Sequence, residues 1–423
     1  MLSRWRPYLL GLLGIGAITF PFLWLQLAPN FADNTIRIAW SPGHGLQFFD
    51  DLLPVFLVGF LIWLGIRGNR RWHWAAMLER SAAGRGGAHV WERYWAWIAM
   101  PLVLCGTFAL SASNLTLLTD VGIYMLLALG LNITVGMTGL LVLGYAGFYA
   151  FGAYFFAMVQ QKVGFFPWWL AAPLAFPLGG LMGYLLGLPC LRLRGDYLAI
   201  VTLGFAEAFR ETIGNLDVTG GDQGLSVDLH NMFRGFAGLG HGQAAYIMVA
   251  LIVFAAVFLI QRLYHSPVGR AWIAIRENEV AASAVGVPVV QMKLLAFSLS
   301  AAIAAVAGVL SGASDGFVSP ALCQFNQSII VLAMVILGGL GNTYGALLGA
   351  ALLYLVPEYL KRISMLQDTA AFNALVPGFL RGPLSHLADY QLLIFGAIMV
   401  IMMLYRPQGL LGSARRKEEI LNQ

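Results

Sequence analysis

Long apolar stretches recur along the chain and alternate with short polar loops. A membrane-spanning helix needs ~20 mostly apolar residues, because each residue adds about 1.5 Å across a hydrocarbon layer about 30 Å thick. Twelve stretches are candidates, near residues 8–28, 48–66, 94–112, 118–136, 138–160, 168–189, 196–213, 244–263, 291–312, 327–341, 343–360 and 390–405. The stretch 327–341 is short and 138–160 is rich in glycine, so either could be broken or re-entrant where it is buried in protein. The pattern predicts an all-α, polytopic membrane helix bundle of 10–12 spans.

Composition supports a membrane protein. Charged residues make up 11% of the chain, whereas soluble globular proteins carry about 25%. Hydrophobic residues reach 59%, and 49 of the 423 residues are glycine. These values exclude an ordinary soluble enzyme, a disordered chain and a disulfide scaffold. The three cysteines, Cys105, Cys190 and Cys323, lie at or inside apolar stretches and are expected to act as small packing residues.

The positive charges predict the orientation. With the N-terminus inside, 18 of the 25 Lys and Arg residues fall in interior loops, six fall in exterior loops and Arg210 lies within a span. This excess is the positive-inside pattern, so both termini are expected to be cytoplasmic. The loop 67–93 is then interior and the loop 214–243 exterior. The first apolar stretch is too long for a signal peptide and is expected to be a retained helix.

Three regions follow from this arrangement. Residues 1–93 form an N-terminal two-helix extension with a basic cytoplasmic loop, 94–405 form the core bundle, and 406–423 form a short charged cytoplasmic tail. The basic loop is expected to anchor the orientation beside anionic membrane lipid. No nucleic acid is expected as a partner.

Catalytic and metal-binding patterns are largely missing from the sequence. The seven histidines form no paired motif, so no metal site and no catalytic residues are predicted. A phosphate-binding P-loop needs a lysine directly after a glycine, and none of the four lysines follows one. The chain is therefore expected to be neither an enzyme nor an ATPase and to carry no cofactor, so any ATP would be hydrolysed by partner subunits.

One interior loop has a helical pattern. In the segment 264–293, Ser266 can cap a helix, Pro267 suits its first position, and Gly286 followed by Pro288 can end it. Its surface mixes apolar and charged residues, namely Trp272, Ile273, Val280, Arg270, Arg276, Glu277 and Glu279. Such a short amphipathic helix could lie on lipid or dock in a groove of another protein. The residues alone favour neither the lipid nor the protein groove.

A charged pair lies within a predicted span. Glu207 lies roughly 16 Å beyond Asp196, near the middle of the membrane if Asp196 marks its boundary. Arg210 follows three residues later and can pair with it. We expect either a structural ion pair that fixes helix packing or a role in gating and solute passage. Glu207 is also the only acidic residue that the sequence places near the middle of the membrane.

Glycine-rich faces mark the predicted core. The glycines are Gly130, Gly136, Gly139, Gly144, Gly147, Gly152, Gly338, Gly339, Gly341, Gly345 and Gly349. Such faces let helices approach closely, and broken helices beside a path can expose backbone groups to a solute. Asn132, Tyr145, Tyr149 and Tyr154 lie among them and could face a translocation path, although core packing is the simpler expectation for each.

At these residues the chain resembles the permease subunits of ATP-binding-cassette importers for branched-chain amino acids, specifically the longer, LivM-type subunit. The matching stretches are GLNITVGMTGLLVLGYAGFYAFGAY (130–154), LRLRGDYLAIVTLGFAEAFRE (191–211), TGGDQGL (219–225), SPVGRAWIAIRENEVAASAVG (266–286), LGGLGNTYGALLGA (337–350) and YRPQGLLG (405–412). They extend across roughly 300 residues in the family's order. The resemblance implies a bacterial inner-membrane complex with a second, LivH-like permease subunit, two cytoplasmic ATP-binding subunits and a periplasmic substrate-binding protein.

The resemblance also implies roles for particular residues. It makes 266–286 the loop that couples to the ATPase, with Arg270, Arg276, Glu277, Glu279, Ala282 and Gly286 as its predicted coupling residues. In the exterior loop, Thr219, Gly220 and Gly221 match, but Asp222 and Gln223 stand where the family often has proline and asparagine. This departure bears on binding-protein docking or solute entry and not on the fold.

The implied solutes are leucine, isoleucine and valine. Relatives of the family import urea, short amides or other amino acids, so these remain alternatives. An ion-coupled secondary transporter would need ion-binding carboxylates or inverted repeats. A membrane-embedded enzyme is disfavoured because acidic and histidine ligands are not clustered.

Overall fold

A computed structural model describes residues 26–30, 35–39, 112–163, 168–190, 196–227 and 241–365, with single positions at 396, 400, 404, 409 and 410. Two compact units divide the chain, one formed by residues 1–60 and 356–393 and the other by 61–355 and 394–423. In the first unit, strands β1 (Gln26–Asn30) and β2 (Thr35–Ala39) pair antiparallel, with Gln26 opposite Ala39. The last three residues of the predicted span 8–28 are therefore strand and not helix. The rest of that span, and most of those near 48–66, 94–112 and 390–405, lie outside the described residues.

The second unit contains the helical bundle. Its helices are α1 (Ala112–Leu131), α2 (Tyr145–Val163), α3 (Trp168–Cys190), α4 (Asp196–Asn215), α5 (His241–Tyr264), α6 (Pro267–Glu277), α7 (Glu279–Ala284), α8 (Val289–Asp315), α9 (Phe325–Gly338) and the start of α10 (Thr343–Met365). A π-helix over Asn132–Thr138 continues α1. Strands β3 (Leu225–Ser226) and β4 (Phe317–Val318) pair antiparallel.

Four segments in the described residues are long and apolar enough to cross a membrane: Asn114–Thr138, Leu170–Cys190, Gly242–Tyr264 and Val289–Asp315. Phe325–Gly338 and Thr343–Glu358 are shorter apolar helices. The predicted all-α polytopic membrane bundle is confirmed. The total of 10–12 spans and the three predicted regions stay predictions.

Small residues bring α8 into close contact with its neighbours. A Cβ atom added to Gly308 would lie 1.9 Å from the backbone oxygen of Tyr149, and one added to Gly152 would lie 1.9 Å from that of Ala305. Gly179 and Gly183 of α3 approach the same face of α8, where a Cβ would lie 2.4 and 2.5 Å from alanine methyl groups. The helices therefore pack backbone against backbone, as glycine-rich membrane helices do.

The two segments that were expected to be broken or re-entrant, 138–160 and 327–341, have different structures. Over Tyr145–Val163, α2 is one continuous helix, and the break falls before it, in residues 139–144, where Gly139 adopts a left-handed φ of 74°. The stretch near 327–341 is indeed short, since α9 has 14 residues and follows a 3-10 turn at Pro320–Cys323.

The long helix α8 runs from one end of the bundle to the other. At 1.5 Å per residue this 27-residue helix extends about 40 Å. It links the end that carries α6 and α7, here called the helix-pair end, to the end that carries β3, β4 and residues 216–223, here called the loop end. The charge pattern predicts that the helix-pair end is cytoplasmic.

Cysteine labelling tests this orientation. Ser283 is exposed at the helix-pair end and Gln223 at the loop end, whereas Cys190 and Cys323 are free and buried. In a chain with its three native cysteines replaced, a membrane-impermeant maleimide applied from outside should label Gln223→Cys and leave Ser283→Cys unlabelled until the membrane is opened. Labelling of both variants from one side would refute the topology.

Candidate functional site

The predicted coupling segment folds as two helices and not one. Ser266 caps α6, its Oγ accepting a hydrogen bond from the Gly269 backbone N–H at 3.3 Å, as expected. The backbone then leaves the helix at Asn278, with φ −158° and ψ 111°. The Asn278 side chain caps α7 by accepting from the Ala281 N–H at 3.0 Å. The single helix over 266–286 is therefore wrong, because an asparagine cap restarts it.

The predicted end at Gly286 is confirmed. Gly286 has φ 87°, and its N–H donates to the Ser283 carbonyl at 3.0 Å. The next N–H, of Val287, donates to the Ala282 carbonyl at 3.1 Å. These two bonds form a Schellman motif, which needs a residue that tolerates the left-handed conformation.

An apolar projection lies at this end of the bundle. Val280 is 77% and Val285 80% exposed, and we call these two side chains the valine knob. Trp272 and Ala282 of the same helix pair are buried, and the Trp272 Nε1–H donates to the Met292 carbonyl at 2.8 Å. The expectation that Trp272 belongs to the exposed surface is therefore wrong, because it anchors α6 against α8.

The charged residues of the segment separate into two groups. Arg270, Glu277 and Glu279 are exposed, and Glu279 pairs with Lys293 of α8 at 2.6 Å. Arg276 turns inward, where its Nη1 donates to the Gly136 carbonyl of the π-helix. The ATPase-coupling roles stay predictions, but Arg276 does not share the surface of the other charges.

Asn132 lies at this inner junction, and its predicted place on a translocation path stays a prediction. All seven residues of the π-helix are buried, and Asn132 Oδ1 accepts from the Gly341 N–H at 2.9 Å. Its Nδ2 is buried without a hydrogen-bond partner among the described residues. π-helical turns are rare and are frequently found at functional sites.

The tyrosines of α2 lie in the bundle interior. The Tyr145 hydroxyl donates to the Ser300 carbonyl at 3.3 Å. Tyr145 and Tyr149 border a cavity of about 10 Å³ together with Leu127, Ala146, Gln327 and Val331. This space is far too small for an amino acid. Tyr154 is buried nearby on the same helix.

A second acid within a span was not identified from the sequence. Asp120 lies within the span Asn114–Thr138 and accepts from the Tyr354 hydroxyl at 2.9 Å. The Tyr354 ring packs against Tyr124 with centroids 4.8 Å apart, and the Gln327 side chain donates to the Tyr124 hydroxyl at 2.9 Å. Glu207 is therefore not the only acid within a predicted span, and a single Asp near the start of an apolar stretch was the signal that could have revealed Asp120. These contacts connect α9 and α10 to α1.

The ion pair predicted in α4 is confirmed. Arg210 Nε lies 2.7 Å from Glu207 Oε2, and Arg210 also contacts Glu211. The Arg210 and Glu207 side chains remain 34% and 43% exposed, on a helix where a Cβ at Gly204 would meet nothing within 4 Å. Charged side chains are disfavoured against lipid, so this face is expected to meet protein or water.

Within the loop predicted to be exterior, the described residues 216–223 fold against the bundle. Thr219 is buried and its Oγ1 donates to the Leu216 carbonyl at 2.7 Å, while Gly220 adopts a left-handed φ of 75°. Asp222 and Gln223, the positions that depart from the family pattern, are exposed.

In the described part of the chain, no group of three or more His, Cys, Asp or Glu residues could hold a metal ion.

The helix bundle, with four segments long and apolar enough to cross a membrane among its described residues, is that of a polytopic membrane protein. A family model described as "branched-chain amino acid transport system / permease component" matches residues 113–403. The chain belongs to this family, whose members are transport components and not enzymes.

Named relatives agree with this assignment. The high-affinity branched-chain amino acid transport system permease protein LivM of Salmonella typhimurium is 38% identical over 78% of this chain and 77% of its own length. LivM of Escherichia coli is also 38% identical, over 79% of both chains. LivH of Escherichia coli is 24% identical over 68% of this chain and 91% of its own length. No solved structure matches the chain.

Proposed function

We propose that the chain is the LivM-type permease subunit of an ATP-driven importer of branched-chain amino acids. The valine knob carries the structural side of this proposal. Two exposed valines at the end of a capped helix pair, on the side predicted to be cytoplasmic, suit the groove of a partner protein. The relatives named LivM support the solute class.

The proposed assembly contains this chain, a second LivH-like permease, two ATP-binding subunits and a periplasmic binding protein. The likeness to LivH, which extends over most of both chains, supports pairing of two similar permeases. The partly exposed charges on α4 support protein contact on that face. The assembly would lie in the inner membrane with both termini of this chain cytoplasmic, and ATP would bind to the partner subunits.

Leucine, isoleucine and valine are the proposed solutes. The acidic residues Glu207 and Asp120 are each bonded within the chain, to Arg210 and Tyr354, which suits passage of a solute without net charge. We expect the binding protein to supply most of the discrimination, because a permease that held its solute tightly would release it slowly. Urea and small amides have no net charge either and form the alternative.

Uptake into proteoliposomes tests the proposal. With all subunits and the binding protein present, labelled leucine should accumulate only when ATP is supplied, and omission of this chain should stop uptake. Excess unlabelled isoleucine should compete, and excess urea should not. Full competition by urea, or leucine uptake without this chain, would reject the branched-chain assignment.

A further inference from the structure

The Arg276 side chain lies where three elements of the bundle meet. Its Nη1 donates to the Gly136 carbonyl in the π-helix. The same Nη1 lies 2.9 Å from the position that a Cβ on Gly341 would occupy, in the turn between α9 and α10. Its Cγ lies 3.3 Å from the corresponding position on Gly139. The guanidinium on α6 therefore bonds the π-helix that continues α1 and lies beside the turn before α10.

The two elements that Arg276 touches are also bonded to each other. Asn132 accepts from the Gly341 N–H at 2.9 Å. A Cβ on Gly136 would lie 2.1 Å from Asn132 Oδ1 and 2.5 Å from the Gly341 nitrogen, so no side chain fits between them. A shift of the π-helix must therefore displace the turn as well.

On its other side, Arg276 is close to the valine knob. It lies two residues before Asn278, where α6 ends and α7 begins. Because α7 is capped at both ends, it can move as a unit, and Asn278 joins that unit directly to the last turn of α6. Movement of the valine knob thus reaches Arg276 through the three residues 277–279, which separate it from Val280.

We propose that Arg276 is a positioning residue that transmits movement of the valine knob to the π-helix and to the turn before α10. This inference rests on the proposed function, because it assumes that an ATPase binds the knob. It assigns Arg276 to transmission inside the permease and not to the docking surface. The planar guanidinium suits the task, since it offers several donors in a fixed geometry, which a lysine lacks.

The test uses the complete complex in proteoliposomes and measures solute imported per ATP hydrolysed. Arg276→Ala should keep the ATPase subunits bound, as judged by co-purification, while the ratio falls roughly tenfold. Arg276→Lys should give an intermediate ratio, because it restores one donor without the planar fork. Arg262→Ala is the matched control, since Arg262 is exposed near the same end and lies outside the junction, and its ratio should equal that of the wild type.

Two outcomes would overturn the inference. One is a wild-type ratio in Arg276→Ala, and the other is loss of the ATPase subunits from that variant. If Arg276→Ala does not accumulate in the membrane, Arg276→Lys decides, and an unchanged ratio in it counts against transmission. Failure of the wild-type complex to import leucine would instead reject the proposed function, so the two failures are distinguishable.

Discussion

Replacing both Val280 and Val285 by aspartate is expected to abolish solute uptake while leaving the permease in the membrane. Both side chains are more than three-quarters exposed, so the change should not disturb the bundle. In a fitted apolar groove, two carboxylates would lose their hydration without gaining partners, which costs several kcal/mol or more. The ATPase subunits should therefore no longer co-purify with the permease, and ATP-driven leucine uptake into proteoliposomes should fall to background.

Val163→Asp provides the control for this result. Val163 is 62% exposed and ends α2, in which the earlier residue Phe156 already lies beside Gly312 near the loop end of α8. The same substitution there should leave ATPase binding intact. If the double variant at Val280 and Val285 binds the ATPase subunits as the wild type does, the valine knob is not the docking surface.

The structure also explains why a charge reversal would be a weaker test of docking. Exchanging the signs of Arg276 and Glu279 would disturb two separate places, because Glu279 pairs with Lys293 on the surface while Arg276 bonds the Gly136 carbonyl inside the bundle. A loss of transport could then arise from either site. Substitution of the two valines changes the surface alone, so a loss of transport in that variant reports on docking.

Much of the local structure was predictable from sequence. Ser266 and Gly286 mark their helix ends because capping depends on the residue itself and its near neighbours. The Glu207–Arg210 pair followed from helical spacing. Asn278 carried the same kind of signal, but it lies between good helix formers on both sides, so the sequence favoured one continuous helix.

The inner junction was not predictable in this way. Arg276 turns inward because the π-helix offers a carbonyl at Gly136, and that arrangement depends on Asn132 meeting Gly341, more than two hundred residues later in the chain. Trp272 is buried because Met292 of α8 supplies an acceptor for its ring N–H. Contacts between distant segments decide which way these side chains point, and local spacing does not encode them.

Gly308→Ala is expected to lower the thermal stability of the isolated subunit. The added methyl group would lie 1.9 Å from the Tyr149 carbonyl oxygen and 2.7 Å from the Ala153 nitrogen, both backbone atoms of α2. Neither atom can turn aside as a side chain would, so α2 and α8 must separate and lose contacts along the crossing. Overpacking of this kind typically costs about 1–3 kcal/mol, and rigid backbone neighbours favour the upper part of that range. The apparent unfolding midpoint of the detergent-solubilised subunit should fall by several degrees.

Gly204→Ala is the matched control, because it makes the same substitution in α4 at a position where a Cβ meets nothing within 4 Å. Alanine has the higher helix propensity, by about 1 kcal/mol, so this variant should be as stable as the wild type or slightly more stable. The measurement belongs on the isolated subunit, since a second permease packed on α4 would fill the space beside Gly204. An unchanged midpoint in Gly308→Ala would show that α2 and α8 do not approach as closely as the structure places them. Glycine would then serve this core through its backbone conformation and not through the space that its missing side chain leaves.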